Sequence, residues 1–287
     1  MLILLRWLSR RPLRHLHVIG AVMGWLVYAL SPSYRLRLRT NAARAGITPE
    51  QRRQSVAEAG KMVLEGLRLW LRPPDRPIAD PVIWQGEQLI EEALALGRGL
   101  VFVTPHMGSF EITAQAYAQR YGAIQPITVM YRPARHRVLR ELEEQARARP
   151  ALATAPASIG GVRQMMRALK RGEAVGLLPD QVPPQGMGVW ADFFGAPAYT
   201  MTLAARLALH SGAPVLLAWC ERLPDGRGFH LRLSRLAEPL PPDDEAGQAA
   251  VINRAMESLI RQCPQQYLWG YNRYKQPRAA PAGLSPP

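Results

Sequence analysis

The sequence predicts an α/β fold, in which a central, mostly parallel or mixed sheet is flanked by helices and a hydrophobic, membrane-associating helix stands at the N-terminus. Short apolar runs alternate with stretches of helical periodicity through most of the chain. A segment of 15 largely apolar residues lies near the N-terminus. The composition, 48% hydrophobic and 20% charged over 287 residues, is that of a folded chain that can bury a sizeable core.

The N-terminal apolar segment is Leu16–Leu30. It is shorter than the roughly 20 residues that span a bilayer core as a helix. Four interpretations remain open: a secretory signal, a short transmembrane helix, a helix in the membrane interface, and a buried helix of a soluble domain. We expect a membrane anchor over 1–32, one main domain over 33–276 and a disordered tail over 277–287.

Positive charge is concentrated at the same end. Residues 1–53 contain ten arginines and one acidic residue, Glu50, in a chain of formal net charge +14. This asymmetry indicates an anionic partner, and membrane lipids fit better than nucleic acid, because the sequence has no basic run interleaved with aromatic residues and no zinc-finger signature. The two cysteines, Cys220 and Cys263, lack metal-ligand spacing, and we expect neither metal nor cofactor.

The remaining elements follow from periodicity. Residues 33–72 have a helical pattern that ends at Pro73-Pro74. Beyond them, helices are predicted at about 86–97, 109–121, 135–148, 160–171, 200–211 and 245–262. Runs of β-branched and aromatic residues predict strands at Leu100–Val103, Ile124–Tyr131, Ala151–Ala155, 174–178, 214–220 and 228–235.

The most informative stretch joins the first of these strands to the next helix. His106 follows the strand, and Glu111 falls in the first turn of the helix that Ser109 begins. On one continuous helix, residues five apart point about 140° away from each other, so the pair can meet only across a strand–loop–helix junction, with Gly108 as a flexible link. A neutral imidazole oriented by a carboxylate is a minimal general base. The alternative is a structural histidine and an unrelated surface glutamate.

Two further polar residues follow strands. Arg132 and Asp180 each come at or just past the end of an apolar run. If these strands lie in one parallel sheet, both side chains converge with His106 at its carboxyl edge, where α/β sheets bind ligands. Taken singly, Arg132 could equally be a surface arginine and Asp180 a turn cap.

Several motifs in chain order resemble one known family. They are His106-x4-Glu111, Tyr131-Arg-Pro133, Leu178-Pro-Asp-Gln181, Phe193-Phe-Gly195, Gly212-Ala-Pro-Val215, Gln266-Tyr-Leu-Trp269 and Asn272-Arg-Tyr-Lys275. The family is that of the late lipid A biosynthesis acyltransferases, the lauroyl/myristoyl acyltransferases of Gram-negative bacteria. The resemblance extends from the N-terminal apolar segment to about Lys275.

This resemblance implies an inner-membrane protein whose catalytic domain is on the cytoplasmic side. It also implies transfer of a fatty acyl chain from acyl carrier protein to a hydroxyl of a lipid A precursor, a step of lipopolysaccharide biosynthesis. His106 would be the base and Glu111 its partner. The residues expected to bind substrate are Arg132, Arg147, Arg149 and Asp180, with Arg149 as the alternative to Arg147 for the family's arginine.

Other functions remain open from the sequence. A lysophospholipid, lyso-ornithine-lipid or glycolipid acyltransferase shares this chemistry and differs only in its acceptor. A non-enzymatic, basic membrane-binding protein would carry the His/Glu pair for structural reasons. Trp190, Phe193 and Phe194 are candidates for an acyl groove, although they equally suit the core.

Overall fold

Helices and strands alternate through the part of the chain that the structure, a computed structural model, describes: residues 2–73, 76–78, 80–131 and 149–278. Its helices are α1 (Leu2–Ser9), α2 (Leu13–Leu30), α3 (Pro32–Arg44), α4 (Pro49–Trp70), α5 (Gln88–Ala95), α6 (Phe110–Tyr121), α7 (Ile159–Lys170), α8 (Leu203–Ser211) and α9 (Glu245–Gln262). Its strands are β1 (Val82–Gln85), β2 (Leu100–Val103), β3 (Ile127–Tyr131), β4 (Leu152–Pro156), β5 (Ala174–Leu177), β6 (Gly188–Phe193), β7 (Ala196–Met201), β8 (Val215–Arg222) and β9 (Phe229–Arg235). The predicted helix over 135–148 lies outside the described residues, and so do residues 279–287 of the tail predicted over 277–287.

A seven-stranded sheet forms the centre of the fold, in the order β1-β9-β8-β2-β5-β3-β4. Neighbouring strands are parallel except for the antiparallel pair β8 and β9. All residues of β2 and β5 are buried. Helices cover both faces of such a sheet, which explains why these strands are unbroken apolar runs in the sequence. The predicted α/β class with a mixed, mostly parallel sheet is confirmed.

Two parts of the sheet structure are absent from the prediction. Strand β1 is short and half-exposed, and it pairs with β9 at the edge of the sheet, so its sequence carries only a weak strand signal. Strands β6 and β7 form a separate antiparallel hairpin.

Phe193 and Phe194 lie in the core, which confirms the core interpretation over the acyl groove for these two side chains.

The N-terminal helices contact two core clusters, since Val56 of α4 belongs to one and Leu69 of α4 belongs to the other. Helix α2 runs antiparallel along α4, and the backbones approach so closely that a Cβ at Gly60 would overlap the carbonyl oxygen of Gly20. Among the described residues, α2 is the helix long and apolar enough to cross a membrane by length and composition, with mean hydropathy 1.3 over 18 residues. The buried stripe of α4 follows Val56, Gly60 and Leu64, and Val63 is exposed.

Candidate active site

The turn that follows β2 holds the predicted base in place through backbone hydrogen bonds. The carbonyl of His106 accepts a hydrogen bond from Leu268 N–H (3.2 Å), and Gly108 N–H donates to the carbonyl of Gln266 (3.0 Å). Gly108 has φ +58°, and a Cβ there would overlap the carbonyl oxygen of Cys220. Glycine is therefore required by both conformation and space, rather than as the flexible link that the sequence suggested.

His106 is paired with Asp180, which follows the neighbouring strand β5. The distance between His106 Nδ1 and Asp180 Oδ1 is 2.6 Å, and the backbone N–H of His106 donates to Asp180 Oδ2 (2.9 Å). An ionised carboxylate only accepts hydrogen bonds, so Nδ1 carries a proton in either state of the ring, and Nε2 has a free lone pair whenever the ring is neutral. The predicted convergence of these two residues at the carboxyl edge of the sheet is confirmed.

The carboxylate is the buried member of the pair. The side chain of Asp180 is 1% exposed and that of His106 is 20% exposed. Burial by itself raises the pKa of Asp180, but the charge of His106 and the hydrogen bonds from its ring and backbone outweigh burial. The pKa of Asp180 therefore lies below its ordinary value of 3.8, and the buried charge of Arg273 contributes in the same direction. The pair is thus a carboxylate that remains ionised and a histidine that faces outward.

His106 and Glu111 line one cavity of about 520 Å³. This is within the range of about 300–1,000 Å³ common for small-molecule sites. The rest of the wall is mostly apolar and comes from α4, α6, β3, β5, α7, α8 and the loop after β5, with lining residues that include Trp70, Phe110, Val129, Met130, Val162, Leu177, Leu178, Val182, Met187, Met201 and Leu203. Its volume and mostly apolar lining suit an apolar chain bound beside an imidazole.

Glu111 lies in the first turn of α6, as predicted, and shares the wall of the cavity with His106. The carboxylate at the Nδ1 nitrogen, however, is Asp180. Sequence reasoning chose Glu111 because it is five residues away in the chain, whereas Asp180 is 74 residues away. The structure therefore brings together His106, Glu111 and Asp180, with Asp180 behind the ring and Glu111 at the cavity.

The predicted arginines have different outcomes. Arg132 and Arg147 lie outside the described residues. Arg149 is buried, and its Nη2 donates to the carbonyl of Leu69 (2.9 Å) near the end of α4. Burial lowers the pKa of Arg149. Because the next residue of α4, Trp70, lines the cavity, Arg149 supports the cavity wall; substrate binding by Arg149 stays a prediction.

A buried ionic cluster, absent from the sequence-based predictions, lies behind the turn that carries His106. Arg222 donates to Glu65 Oε1 (2.5 Å) and to Glu58 Oε2 (2.6 Å), and its Nη2 also donates to the carbonyl of Gly108 (3.1 Å). The pKa of Glu65 is lowered: burial raises it, but the charge and hydrogen bonds of Arg222 dominate. Glu65 lies among the buried residues of α4, and only the packing of the helix shows this, because the apolar periodicity of the segment does not include it.

His17 extends this cluster into α2. Its Nε2 lies 3.1 Å from Glu65 Oε2, and both side chains are buried. The cluster therefore joins the N-terminal helix pair to the turn that carries His106. Removal of any one member would leave a buried charge with fewer partners, which is costly.

Comparison with known proteins identifies the family of this chain. The family described as "Bacterial lipid A biosynthesis acyltransferase" matches residues 1–276. The chain is 29% identical to the lipid A biosynthesis palmitoleoyltransferase of Escherichia coli K12 over 79% of this chain and 73% of that protein. It is 28% identical to the lipid A biosynthesis lauroyltransferase of the same organism, over 82% and 77%. A lipid A biosynthesis acyltransferase of Haemophilus influenzae is 25% identical over 64% and 56%.

The family match covers nearly the whole chain, including the turn with His106, the partner strand with Asp180 and the C-terminal segment that holds the turn in place. The resemblance drawn from the motifs is thus confirmed, and the chain belongs to the bacterial lipid A biosynthesis acyltransferase family.

Proposed function

We propose that this protein transfers a fatty acyl chain from acyl carrier protein to a hydroxyl of a lipid A precursor, with His106 as general base. The observation that carries the proposal is that His106, held by the buried carboxylate of Asp180, lies at the wall of an apolar cavity. The cavity would take the acyl chain and bring its thioester carbonyl to the imidazole. Acyl carrier protein as the donor would require the catalytic domain to face the cytoplasm, so we propose this orientation at the inner membrane.

The proposed reaction is a direct transfer. Nε2 of His106 accepts the proton of the acceptor hydroxyl as its oxygen attacks the thioester carbonyl, and a C–O bond forms. The tetrahedral intermediate then collapses, the C–S bond breaks, and the thiol of the carrier leaves with the proton from the imidazolium. Asp180 holds the ring tautomer and stabilises the imidazolium, and the negative charge of Glu111 acts on the same species from the cavity wall.

The side chains available as nucleophiles support this direct scheme over a covalent acyl-enzyme. Both cysteines are buried, and burial raises the pKa of Cys263 to about 12 and the pKa of Cys220 well above its ordinary value. Neither thiol supplies a thiolate near neutral pH. No cofactor enters the scheme. Incubation with the acyl donor alone is therefore expected to leave the protein unacylated, as mass spectrometry of the intact chain would show.

The test is acyl transfer from acyl carrier protein to a lipid A precursor in detergent. We expect His106→Ala to abolish transfer and Glu111→Ala to reduce it severely, with both variants still folded. His106→Ala should be less stable than the wild type, because it leaves the buried Asp180 carboxylate without its ring partner. His210→Ala removes an exposed histidine on α8 and serves as the matched control, with full activity expected. Activity that survives in His106→Ala would refute the mechanism. Transfer to a lysophospholipid but not to a lipid A precursor would retain the mechanism and replace the acceptor.

A further inference from the structure

Helix α2 exposes an apolar stripe along most of its length. Val18, Val22, Leu26 and Leu30 follow at intervals of four residues and are 56–73% exposed. Trp25, 40% exposed, lies beside this stripe. An apolar surface of this extent on a folded protein marks an interaction site. The opposite side of α2, with Leu16, Gly20 and Gly24, is buried.

The first turn of α2 is packed on the catalytic domain. Leu13 lies in a core cluster with Leu69 of α4 and Phe229 of β9. The turn between β8 and β9 also reaches the helix, since a Cβ at Gly226 would lie 2.5 Å from the backbone nitrogen of Arg14. The start of α2 is therefore fixed to the same body that carries the active site.

The last turn of α2 is packed on the same body. Tyr28 packs against the main core, and Arg39 Nε donates to its hydroxyl (2.9 Å). The following helix α3 returns to the active-site side, because Asn41 Nδ2 donates to the carbonyls of Trp269 (2.8 Å) and Tyr271 (2.7 Å). A spanning helix would carry its two ends to opposite sides of a hydrocarbon core about 30 Å thick. Here both ends belong to one domain.

The partner helix α4 adds a second argument against a spanning arrangement. It runs alongside α2, from the contact of Val56 with Gly24 to the pairing of Glu65 with His17. Its amino end, beside the carboxyl end of α2, exposes Glu50 and Arg53. If α2 crossed a bilayer, α4 would enter the bilayer beside it, and the charged side chains of Glu50 and Arg53 would be dehydrated at a large cost in free energy.

Positive charge lies at both ends of the apolar stripe. Arg10 and Arg14 are exposed at its start, and Arg37 and Arg39 are exposed just beyond its end. Arginines at both ends of an apolar helix face complement the anionic headgroups of one leaflet while the apolar side chains enter it. Trp25, in edge contact with Tyr28 (5.6 Å between centroids), is suited to headgroup depth.

We propose that α2 lies in the plane of the membrane interface, with its apolar stripe in one anionic leaflet and both of its ends on the same side of the bilayer. This surface binds lipid whether or not the protein transfers acyl groups. It also orients the catalytic domain, because α4 extends from the lipid-facing helix to Trp70 at the wall of the cavity.

Cysteine labelling separates this arrangement from a spanning one. Arg14→Cys and Ser33→Cys place an exposed thiol just inside the start of α2 and just beyond its end, while the native Cys220 and Cys263 are buried. Inside-out and right-side-out membrane vesicles from cells that produce the full chain are treated with a membrane-impermeant maleimide. We expect both positions to be labelled in the same type of vesicle. Labelling of one position in each type would overturn the proposal.

A binding assay tests the lipid surface itself. The purified chain is floated with vesicles of phosphatidylcholine containing phosphatidylglycerol, and with phosphatidylcholine alone. We expect preference for the anionic vesicles, and a fall of about tenfold or more in partitioning for Val22→Glu/Leu26→Glu. Ile124→Glu, which replaces an aliphatic side chain that is 78% exposed, is the matched control and should bind as wild type. Equal binding by the double variant, or a dimer that forms through α2 without lipid binding, would refute it.

Discussion

Asp180→Asn tests the assignment of the catalytic pair most directly. In the wild type, the two carboxylate oxygens accept two N–H groups of the same residue, the ring Nδ1–H and the backbone N–H of His106. Asparagine has nearly the same shape but only one oxygen, so it can accept only one of them. If its oxygen accepts the backbone N–H, its NH₂ group faces Nδ1 as a donor. Nδ1 must then accept a hydrogen bond, so the ring proton moves to Nε2. Nε2 no longer has a lone pair with which to accept the proton of the acceptor hydroxyl.

The expected magnitude follows from that loss. Stabilisation of the wrong tautomer by an Asp→Asn change in a histidine–carboxylate pair lowers kcat by about 10⁴ in the serine-protease example, or roughly 5 kcal/mol of transition-state stabilisation. We expect a fall of about 10³–10⁴ in kcat. KM for the acyl donor should change little, because Asp180 is 1% exposed and lies behind the ring rather than at the substrate. The lost charged hydrogen bond should lower the free energy of unfolding by about 1.5–3 kcal/mol.

The assay is steady-state acyl transfer over a range of donor concentrations, together with urea unfolding of each variant. Asp192→Asn changes an exposed aspartate on β6 and is the matched control, with wild-type kcat and stability expected. A variant Asp180→Asn that folds and retains more than about a tenth of the wild-type kcat would refute the argument that Asp180 sets the ring tautomer. A loss confined to KM would place Asp180 in substrate binding, as the sequence first suggested.

Three further predictions concern the supports of the site. Gly108→Ala forces a Cβ onto the carbonyl of Cys220 at φ +58°, so we expect a loss of about 1–3 kcal/mol in urea unfolding together with reduced transfer; wild-type values would contradict the close approach. Glu65→Gln leaves the buried Arg222 with one carboxylate partner fewer, so we expect the free energy of unfolding to fall by about 3–5 kcal/mol at neutral pH. Because the folded-state pKa of Glu65 lies below its ordinary 4.5, this stability gap is present above pH 4.5 and should narrow as pH falls through the folded-state pKa; a constant gap in urea titrations would refute the ion pair. Val162→Phe narrows the cavity, so we expect the preference measured in competition between acyl donors to shift toward shorter chains. An unchanged preference would mean that the acyl chain binds elsewhere.

The elements predicted most accurately are those whose burial is uniform. Leu100–Val103 is a strand with the predicted bounds because all four residues are buried on both sides by helices, which leaves an unbroken apolar run in the sequence. The last helix, Glu245–Gln262, follows its apolar periodicity and begins after Asp244, whose side chain caps it. Strand β1 escaped prediction because an edge strand of four half-exposed residues gains its stability from pairing with β9, which lies far away in the sequence.

The same distinction applies to the site. The position of His106 follows from local sequence, since an apolar strand that ends in a histidine places it at the carboxyl edge of a sheet. Its partner does not, because either Glu111 or Asp180 could meet the ring until the order of strands is known. The adjacency of β2 and β5 decides in favour of Asp180 at Nδ1.

By itself, the sequence determined the α/β class, the turn that carries His106, the family and the basic, apolar character of the N-terminus, because each depends on residues that are neighbours in the chain. Only the tertiary structure decided which carboxylate orients the ring, why Gly108 is required, and that both ends of α2 rest on the catalytic domain. These depend on contacts between segments up to more than a hundred residues apart, such as that of Arg222 with Gly108. Such contacts are set by strand order and helix packing, which no local pattern of residues specifies.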